Sequence, residues 1–358
     1  MSRRTDLALM PPGEPMTPCL VIDHAAVRHN LEQTAQAVGG VERLIPHVKT
    51  HRAPWLVADL LAQGVRAFKT ATPAEVEMVL AAGAHEVLWA YPSVQGSAVE
   101  RVIAAARQHP EARVSALVDS RPGFDLWHAR LDGARPSPVR LYLDIDPGLG
   151  RSGVPFGPVA RELAADLARA GVFAGWHLYE GHLHDPDRER RAAAVGRIAS
   201  DLFDFLAEAD PDPDASDIVA GSSYTFDLWP PHPRLRLSPG SWVFSSLRHA
   251  RDLAHLGWRQ GAYVLATVIT GHGETVTLDA GLKAVGSDLP LGERFGWPDE
   301  IREMTEEYAV VGAAEMTIGE RVLLTPGHAC TTAYLYPEAW VRGLDGQWRI
   351  RPQMGIQR

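Results

Sequence analysis

Short apolar runs alternate with helical runs through the first two-thirds of this chain, and that alternation narrows the fold more than any other feature. CLVID (19–23) reads as a strand. Its last residue, Asp23, can cap a helix in which Val27, Leu31 and Ala35 recur at spacing four and which ends at Gly39-Gly40. RLIPHVKT (43–50) is strand-like, and APWLVADLLAQG (53–64) is helical with a closing glycine. VRAFKTAT is a strand. In TPAEVEMVLAAG, Thr72 stands at the N-cap, Pro73 at N1, Glu75 at N3 and Gly83 at the C-terminus, which predicts a helix. EVLWAYP, RVSALVD, RLYLDID, AGWHLYEGHLH and DIVAGSSYTF continue the strands, with helical runs such as GPVARELAADLARAG between them. About eight such repeats over roughly 230 residues predict an α/β fold, a (β/α)8 TIM-like barrel. A doubly wound sheet is the alternative, but no GxGxxG opens the first helix.

Near residue 255 the texture changes. GAYVLATVIT, ETVTLDAGLKAVG, EYAVVG, ERVLLTPGHACTTAYLY and QWRIRP are strand-rich with turn glycines. We expect a barrel over 19–255, followed by an all-β domain formed by 256–358 and joined by 1–18. A chain of 358 residues suits two domains.

The net charge of −9 disfavours nucleic acid as a partner, because phosphate binding wants a basic surface. The N-terminus has only a four-residue apolar run, and no stretch reaches membrane-spanning length. The expectation is a cytoplasmic protein without membrane attachment. Cys19 and Cys330 lie far apart in a chain of that kind and are read singly, not as a disulfide.

Only three of the 35 basic residues are lysines: Lys49, Lys69 and Lys283. Arginine supplies the solvated surface. Lysine is needed where a neutral amine must act, since guanidinium does not deprotonate in proteins. Lys49 and Lys69 both lie near predicted strand ends, where barrel active sites form. Other strand ends carry Arg151 in a Gly-rich turn, Tyr179, His182 and His184. Gly221, Ser222 and Ser223, and then Gly240 and Ser241, form small-residue loops suited to a phosphate. An amine, an arginine and phosphate-cradling loops together suggest pyridoxal 5'-phosphate, a phosphorylated aldehyde. On residues alone Lys49 and Lys69 compete for that aldehyde.

His328 and Cys330 suggest a second chemistry. In a strand, their spacing puts both side chains on one face. Imidazole and thiolate suit zinc or another borderline divalent ion, mixed N/S/O sites also tolerate manganese, and two protein ligands would leave open positions. His182 and His184 share that spacing and form an alternative pair. Cys19 is read as packing.

The segments TPCLVID, PHVKTHR, FKTATPAEVEM, GRSGV, YEGHLHDPD, AGSSYTF, LSPGSWVF and PGHACTTAYLY occur in the order seen in the D-threonine aldolase and D-serine dehydratase family. The chain resembles that family from about residue 17 to 340, and its aldolase-like members most. The resemblance implies a fold-type III pyridoxal phosphate enzyme with an alanine-racemase-like barrel, working as a homodimer on small D-amino acids. It implies that Lys49 bonds to the cofactor aldehyde and that Arg151 faces its phenolic oxygen. Tyr179 and His182 would stand beside the cofactor. Gly221, Ser222, Ser223, Gly240 and Ser241 would hold the phosphate, and His328 and Cys330 the metal. Three departures stand out: GSSYT is poorer in glycine than the family's loop, Tyr308 stands where relatives often have histidine, and FSSLRH lacks the acidic residue that the resemblance implies after the second phosphate loop.

The expected activity is a metal-assisted lyase that cleaves D-β-hydroxy-α-amino acids to glycine and an aldehyde, with His182 or His184 as base. The alternative is dehydration of D-serine to pyruvate and ammonia. A racemase, with Tyr308 as a second base, and a non-catalytic carrier of the cofactor are further readings.

Overall fold

The computed structural model describes residues 7–312 and 316–357. It contains two compact units. One comprises residues 35–49 and 56–240, and the other residues up to 34, 50–55 and 241–357.

CLVID does form a strand, β1 (Cys19–Asp23), but not a barrel strand. The first unit instead holds seven parallel strands: β2 (Ala67–Thr70), β3 (Glu86–Trp89), β4 (Arg113–Val118), β5 (Val139–Ile145), β6 (Phe173–Leu178), β7 (Asp217–Ala220) and β8 (Leu235–Leu237). Each pairs with the next in chain order. β2, β3 and β6 are buried at every position, as apolar strands covered on both faces must be.

The eighth strand expected of a (β/α)8 barrel is absent among the described residues. Its place is taken by residues 44–47, which make only isolated bridges, Leu44 to Leu237 and His47 to Lys69. Pro46 is the physical reason, since it brings no N–H to a ladder. Its carbonyl still accepts from Lys69 N at 2.9 Å, while Ile45 N donates to Leu237 O at 2.8 Å. The chain then turns into a 3-10 helix over Val48–Thr50. Inside, Ile45 joins Ala67, Leu88, Leu117, Tyr142, Ala174 and Val219 in one buried layer, each contributed by a different stave.

The expected cap is present: Thr72 Oγ1 accepts from Glu75 N at 3.2 Å, and the Glu75 carboxylate accepts from Ala71 N at 2.6 Å. The helix runs from Pro73 to Ala81. Ala25 N likewise donates to Asp23 Oδ1 ahead of the helix His24–Val38.

The second unit is β-rich. Its strands are β1, β9 (Ala262–His272), β10 (Thr275–Leu278), β11 (Ile301–Met304), β12 (Ala309–Gly312), β13 (Arg321–Leu324), β14 (Glu338–Arg342) and β15 (Trp348–Pro352). β1 lies parallel to β14 and antiparallel to β9, which buries Leu20, Val21 and Ile22 completely. That explains the departure from the expected order. A continuous apolar run demands cover on both faces but does not say which sheet supplies it. The TPGHACTTAYLY stretch is not a strand either, since Ala329–Ala333 is a short helix. No helix among the described residues is long and apolar enough to cross a membrane.

One glycine is fixed by geometry. β6 carries an extra residue opposite β5, with Leu141 paired to Phe173 but Tyr142 to Gly175. Gly175 has φ +145°, and a Cβ there would sit 2.0 Å from Asp217 O. Gly175→Ala is therefore expected to lower stability by roughly 3 kcal/mol in urea unfolding, where an ordinary buried Gly→Ala change in open space would cost far less. A loss below about 1 kcal/mol would show that this bulge is not a rigid part of the sheet.

Candidate active site

A cavity of about 570 Å³ opens at the C-terminal ends of the parallel strands. Its wall includes Lys49, Lys69, Asp144, Arg151, Tyr179 and two histidines, His47 and His177. Tyr179 follows β6, and its ring gathers three cations. Lys49 Nζ lies 5.7 Å from the ring centroid, Lys69 Nζ 5.4 Å and Arg151 Cζ 4.7 Å.

Arg151 is placed by the turn that carries it. Asp146 Oδ1 accepts from the backbone N–H groups of Gly148, Leu149 and Gly150. Gly153 has φ +96°, and a Cβ there would press on the Asp146 backbone at 2.5 Å. DPGLGRSG thus folds around one carboxylate and holds its arginine at the cavity.

The two competing lysines differ. Lys49 is exposed to the cavity, whereas Lys69 is 3% exposed and donates to Ser238 Oγ at 3.0 Å. Burial, with Lys49 adding repulsion, brings the Lys69 ammonium down to about 7, against the attraction of Asp144 and Glu180. His177 is buried and neutral-favouring for the same reason: burial, then Lys69, outweigh Asp144. Asp144 Oδ1 meets His177 Nδ1 at 2.6 Å, and Ser152 Oγ donates to Asp144 Oδ2 at 3.0 Å. His47 is held well below its ordinary value by burial and then by Lys49 and Lys69.

The loop after β7 is built on Glu180, which is fully buried. Its Oε1 accepts from Ser222 N at 2.9 Å, from Trp229 Nε1 at 3.2 Å and from Thr225 Oγ1. The Ser222 N–H is thus turned onto a carboxylate, and the Ser222 hydroxyl lies 3.0 Å from Thr225 Oγ1. Gly221 is required by the turn itself: it has φ +88°, and a Cβ would press on Leu237 and Phe226 at 3.0–3.2 Å. Ser223 Oγ accepts from Gly240 N at 3.3 Å and so ties the two small-residue loops together. His182 and His184, expected as bases, are not among the residues lining the cavity.

In the β-rich unit, His328 is the N-cap residue of the Ala329–Ala333 helix and Cys330 lies in its first turn. Helix geometry, not strand alternation, brings them together. His328 Nδ1 meets Asp288 Oδ2 at 2.5 Å. Cys330 Sγ lies 3.2 Å from Thr50 Oγ1 and 3.6 Å from Ser241 Oγ, which places Ser241 beside the thiol. Burial alone would lower His328, but the Cys330 thiolate and Asp288 carboxylate lift it to about 9. Burial alone would raise Cys330, but His328, Thr50 and Ser241 bring it down to about 7. Burial instead pushes Cys19 up to about 11. Among the described residues no three His, Cys, Asp or Glu side chains are grouped as a metal cage.

Sequence reasoning missed Asp144, His177, Glu180 and Asp288. The alternation HxYE in AGWHLYEG carried a signal, because His177 and Tyr179 share one face of a strand whose far end is already polar. Nothing local marked Asp288, which lies 40 residues before His328.

A parallel-stranded unit with a lysine cavity at the strand ends, in one chain with a β-rich unit, is the architecture of fold-type III pyridoxal phosphate enzymes. The chain belongs to the family of the alanine racemase N-terminal domain, whose profile matches residues 22–233. A serine dehydratase domain profile matches residues 261–342. Among solved structures, D-threonine aldolase from Filomicrobium marinum superposes with a TM-score of 0.83 at 24% identity, covering 95% of each chain. D-threo-3-hydroxyaspartate dehydratase from Delftia sp. HT23 gives 0.77 at 22% identity, covering 95% of this chain and 97% of that one. Alanine racemase from Clostridium difficile 630 gives 0.72 at 12% identity, covering 96% and 100%. No curated protein sequence matches.

The Glu180 anchor leads to a paired test. Glu180→Leu leaves buried donors without an acceptor and is expected to cost about 3 kcal/mol or more in urea unfolding. Glu180→Gln keeps the accepting oxygen and is expected to cost less than half of that. Equal losses would mean that the carboxylate oxygen does not hold the loop.

Proposed function

We propose that this protein is a pyridoxal phosphate- and divalent-metal-dependent lyase acting on D-β-hydroxy-α-amino acids, cleaving the Cα–Cβ bond to give glycine and an aldehyde. The observation that carries this reading is the Lys49 amine in a cavity with Arg151 and Tyr179. The site fits the cofactor. A volume of about 570 Å³ suits a small ligand. The positive charge of Lys49 and Arg151 around one tyrosine ring calls for an anionic occupant. When bound, pyridoxal phosphate supplies an electron sink for the pair released at Cα.

In this reading Lys49 would bond to the cofactor aldehyde through its amine, and Arg151 would face the phenolic oxygen. Gly221, Ser223 and Gly240 would hold the phosphate, with Ser222 and Glu180 keeping the first loop in shape. Tyr179 would stand beside the cofactor.

His328 and Cys330 would hold the metal. Asp288 occupies His328 Nδ1 and leaves Nε2 for an ion, which is the usual support for a ligating histidine. A thiol held near 7 supplies a thiolate. Two protein ligands leave positions for the substrate hydroxyl, whose proton the ion would loosen. One structure of a D-threo-3-hydroxyaspartate dehydratase carries a histidine-to-alanine change, and another a cysteine-to-alanine change two positions further on, in a metal-free form. That spacing equals the one between His328 and Cys330.

The same observation favours a second reading. Lys49 would remove the α-proton and the metal would carry off the β-hydroxyl as water, so that D-serine gives pyruvate and ammonia. D-Threonine and D-serine separate the two. Lyase cleavage yields glycine and acetaldehyde, and dehydration yields an α-keto acid. Turnover is expected to vanish with a chelator, to return with zinc or manganese, and to be lost in Lys49→Ala. Full activity in metal-stripped protein contradicts the metal role, and no turnover of any β-hydroxy-D-amino acid contradicts the lyase.

A further inference from the structure

Lys69 has no role in the reading above, yet its burial has to be explained. It is 3% exposed and lies on β2, facing the cavity. A buried ammonium ordinarily demands a carboxylate partner, because an isolated charge in a dry interior is costly. Among the described residues the Lys69 amine forms no ion pair, and its one hydrogen bond goes to Ser238 Oγ at 3.0 Å. Ser238 cannot take its proton. The Ser238 hydroxyl hydrogen is committed to the backbone carbonyls of Gly221 at 3.1 Å and Ala220 at 3.3 Å, so Ser238 only accepts. One N–H of Lys69 is fixed in this way, and the rest of the amine is turned to the cavity.

The groups around it come from every neighbouring element. Lys49 and His47 lie on the segment that closes the barrel, and Asp144 is on β5. Arg151 follows β5, His177 is on β6, and Glu180 follows β6. Two carboxylates at a distance face two cations, so neither protonation state is locked by a partner. His177 adds an independent sign. Asp144 accepts its Nδ1–H, which leaves the lone pair on Nε2, and that buried nitrogen has no hydrogen-bond partner among the described residues. The deep wall of the cavity therefore presents an amine without a carboxylate partner and, among the described residues, an imidazole nitrogen without a hydrogen-bond partner.

We propose that Lys69 is the acid–base group of this site, taking the proton of the substrate β-hydroxyl and returning it to Cα, with the Asp144–His177 pair holding the polar wall beside it. The proton balance closes without a further reactant. Neutral Lys69 accepts the hydroxyl proton as the C–O bond becomes C=O and the Cα–Cβ pair is released, and the resulting ammonium gives that proton to Cα to complete glycine. An amine brought down to about 7 suits both halves near neutral pH. This assignment rests on the lyase reading and on the cavity being the reaction site.

The chain's three lysines make the test direct. With lysine labelled at Cε, the protein gives three resonances, assigned through Lys→Arg variants. In the cofactor-free protein the Lys69 resonance is expected to titrate near 7. Because the folded value lies below the ordinary one, Lys69 gains its basic form as pH rises through about 7, and the rate should rise over the same interval. Lys69→Met is expected to keep the visible absorbance band of the lysine-bound cofactor while losing about 10²–10⁴-fold in kcat and the acid limb of the pH profile. Lys69→Arg, which cannot deprotonate, should not restore it, and ethylamine should partly restore Lys69→Ala. A Lys69 titration above 9, or a Lys69→Met enzyme with an unchanged profile and an intact band, overturns the assignment alone. Absence of the band in wild-type protein overturns the lyase reading and this assignment together.

Discussion

Lys49, Lys69 and Arg151 stand 4.7 to 5.7 Å from the centre of one tyrosine ring, and that crowding governs the site. Two unit charges roughly 8 Å apart repel by about 2 kcal/mol at an effective dielectric of 20. The fold reduces this in three ways. The face of Tyr179 attracts cations. Asp144 and Glu180 lie within electrostatic reach. Lys69 loses its proton readily because it is buried. What remains is an excess of positive charge facing a cavity, and a ligand with several negative oxygens settles it. A phosphorylated cofactor and an amino-acid carboxylate have that chemistry.

Much of the scaffold that sets up this charge arrangement was legible in the sequence. Thr72, Pro73 and Glu75 announced a helix start because capping is local. The Gly-rich turn around Arg151 could be read as a strand-end loop for the same reason. Lys49 stood out because lysine is scarce here. What could not be read was pairing over distance. CLVID has no feature that distinguishes a barrel strand from one that lies between β9 and β14. The apolar pattern around Pro46 reads as a strand, but the missing donor limits residues 44–47 to isolated bridges.

The site followed the same division. Residues in distinctive local motifs, such as Tyr179, Arg151 and Gly221, sit in or beside the cavity or its loops. No local motif announces that Glu180, 42 positions away in sequence, claims the Ser222 N–H. His182 and His184 are expected as bases because histidine titrates near working pH, yet neither lines the cavity, whereas His177 does. A buried histidine on an apolar strand looks like core until its carboxylate partner is known. The spacing of His328 and Cys330 is compatible with one strand face, but a helix start brings them together instead.

The central claim is that Lys49, and not the equally near Lys69, bonds to the cofactor. Borohydride reduction of the cofactor-loaded protein fixes that bond permanently, and mass spectrometry of the digested protein then locates the added pyridoxyl group. The account predicts the modification on the peptide containing Lys49, with Lys69 unmodified. Modification at Lys69, or at neither lysine, would contradict it.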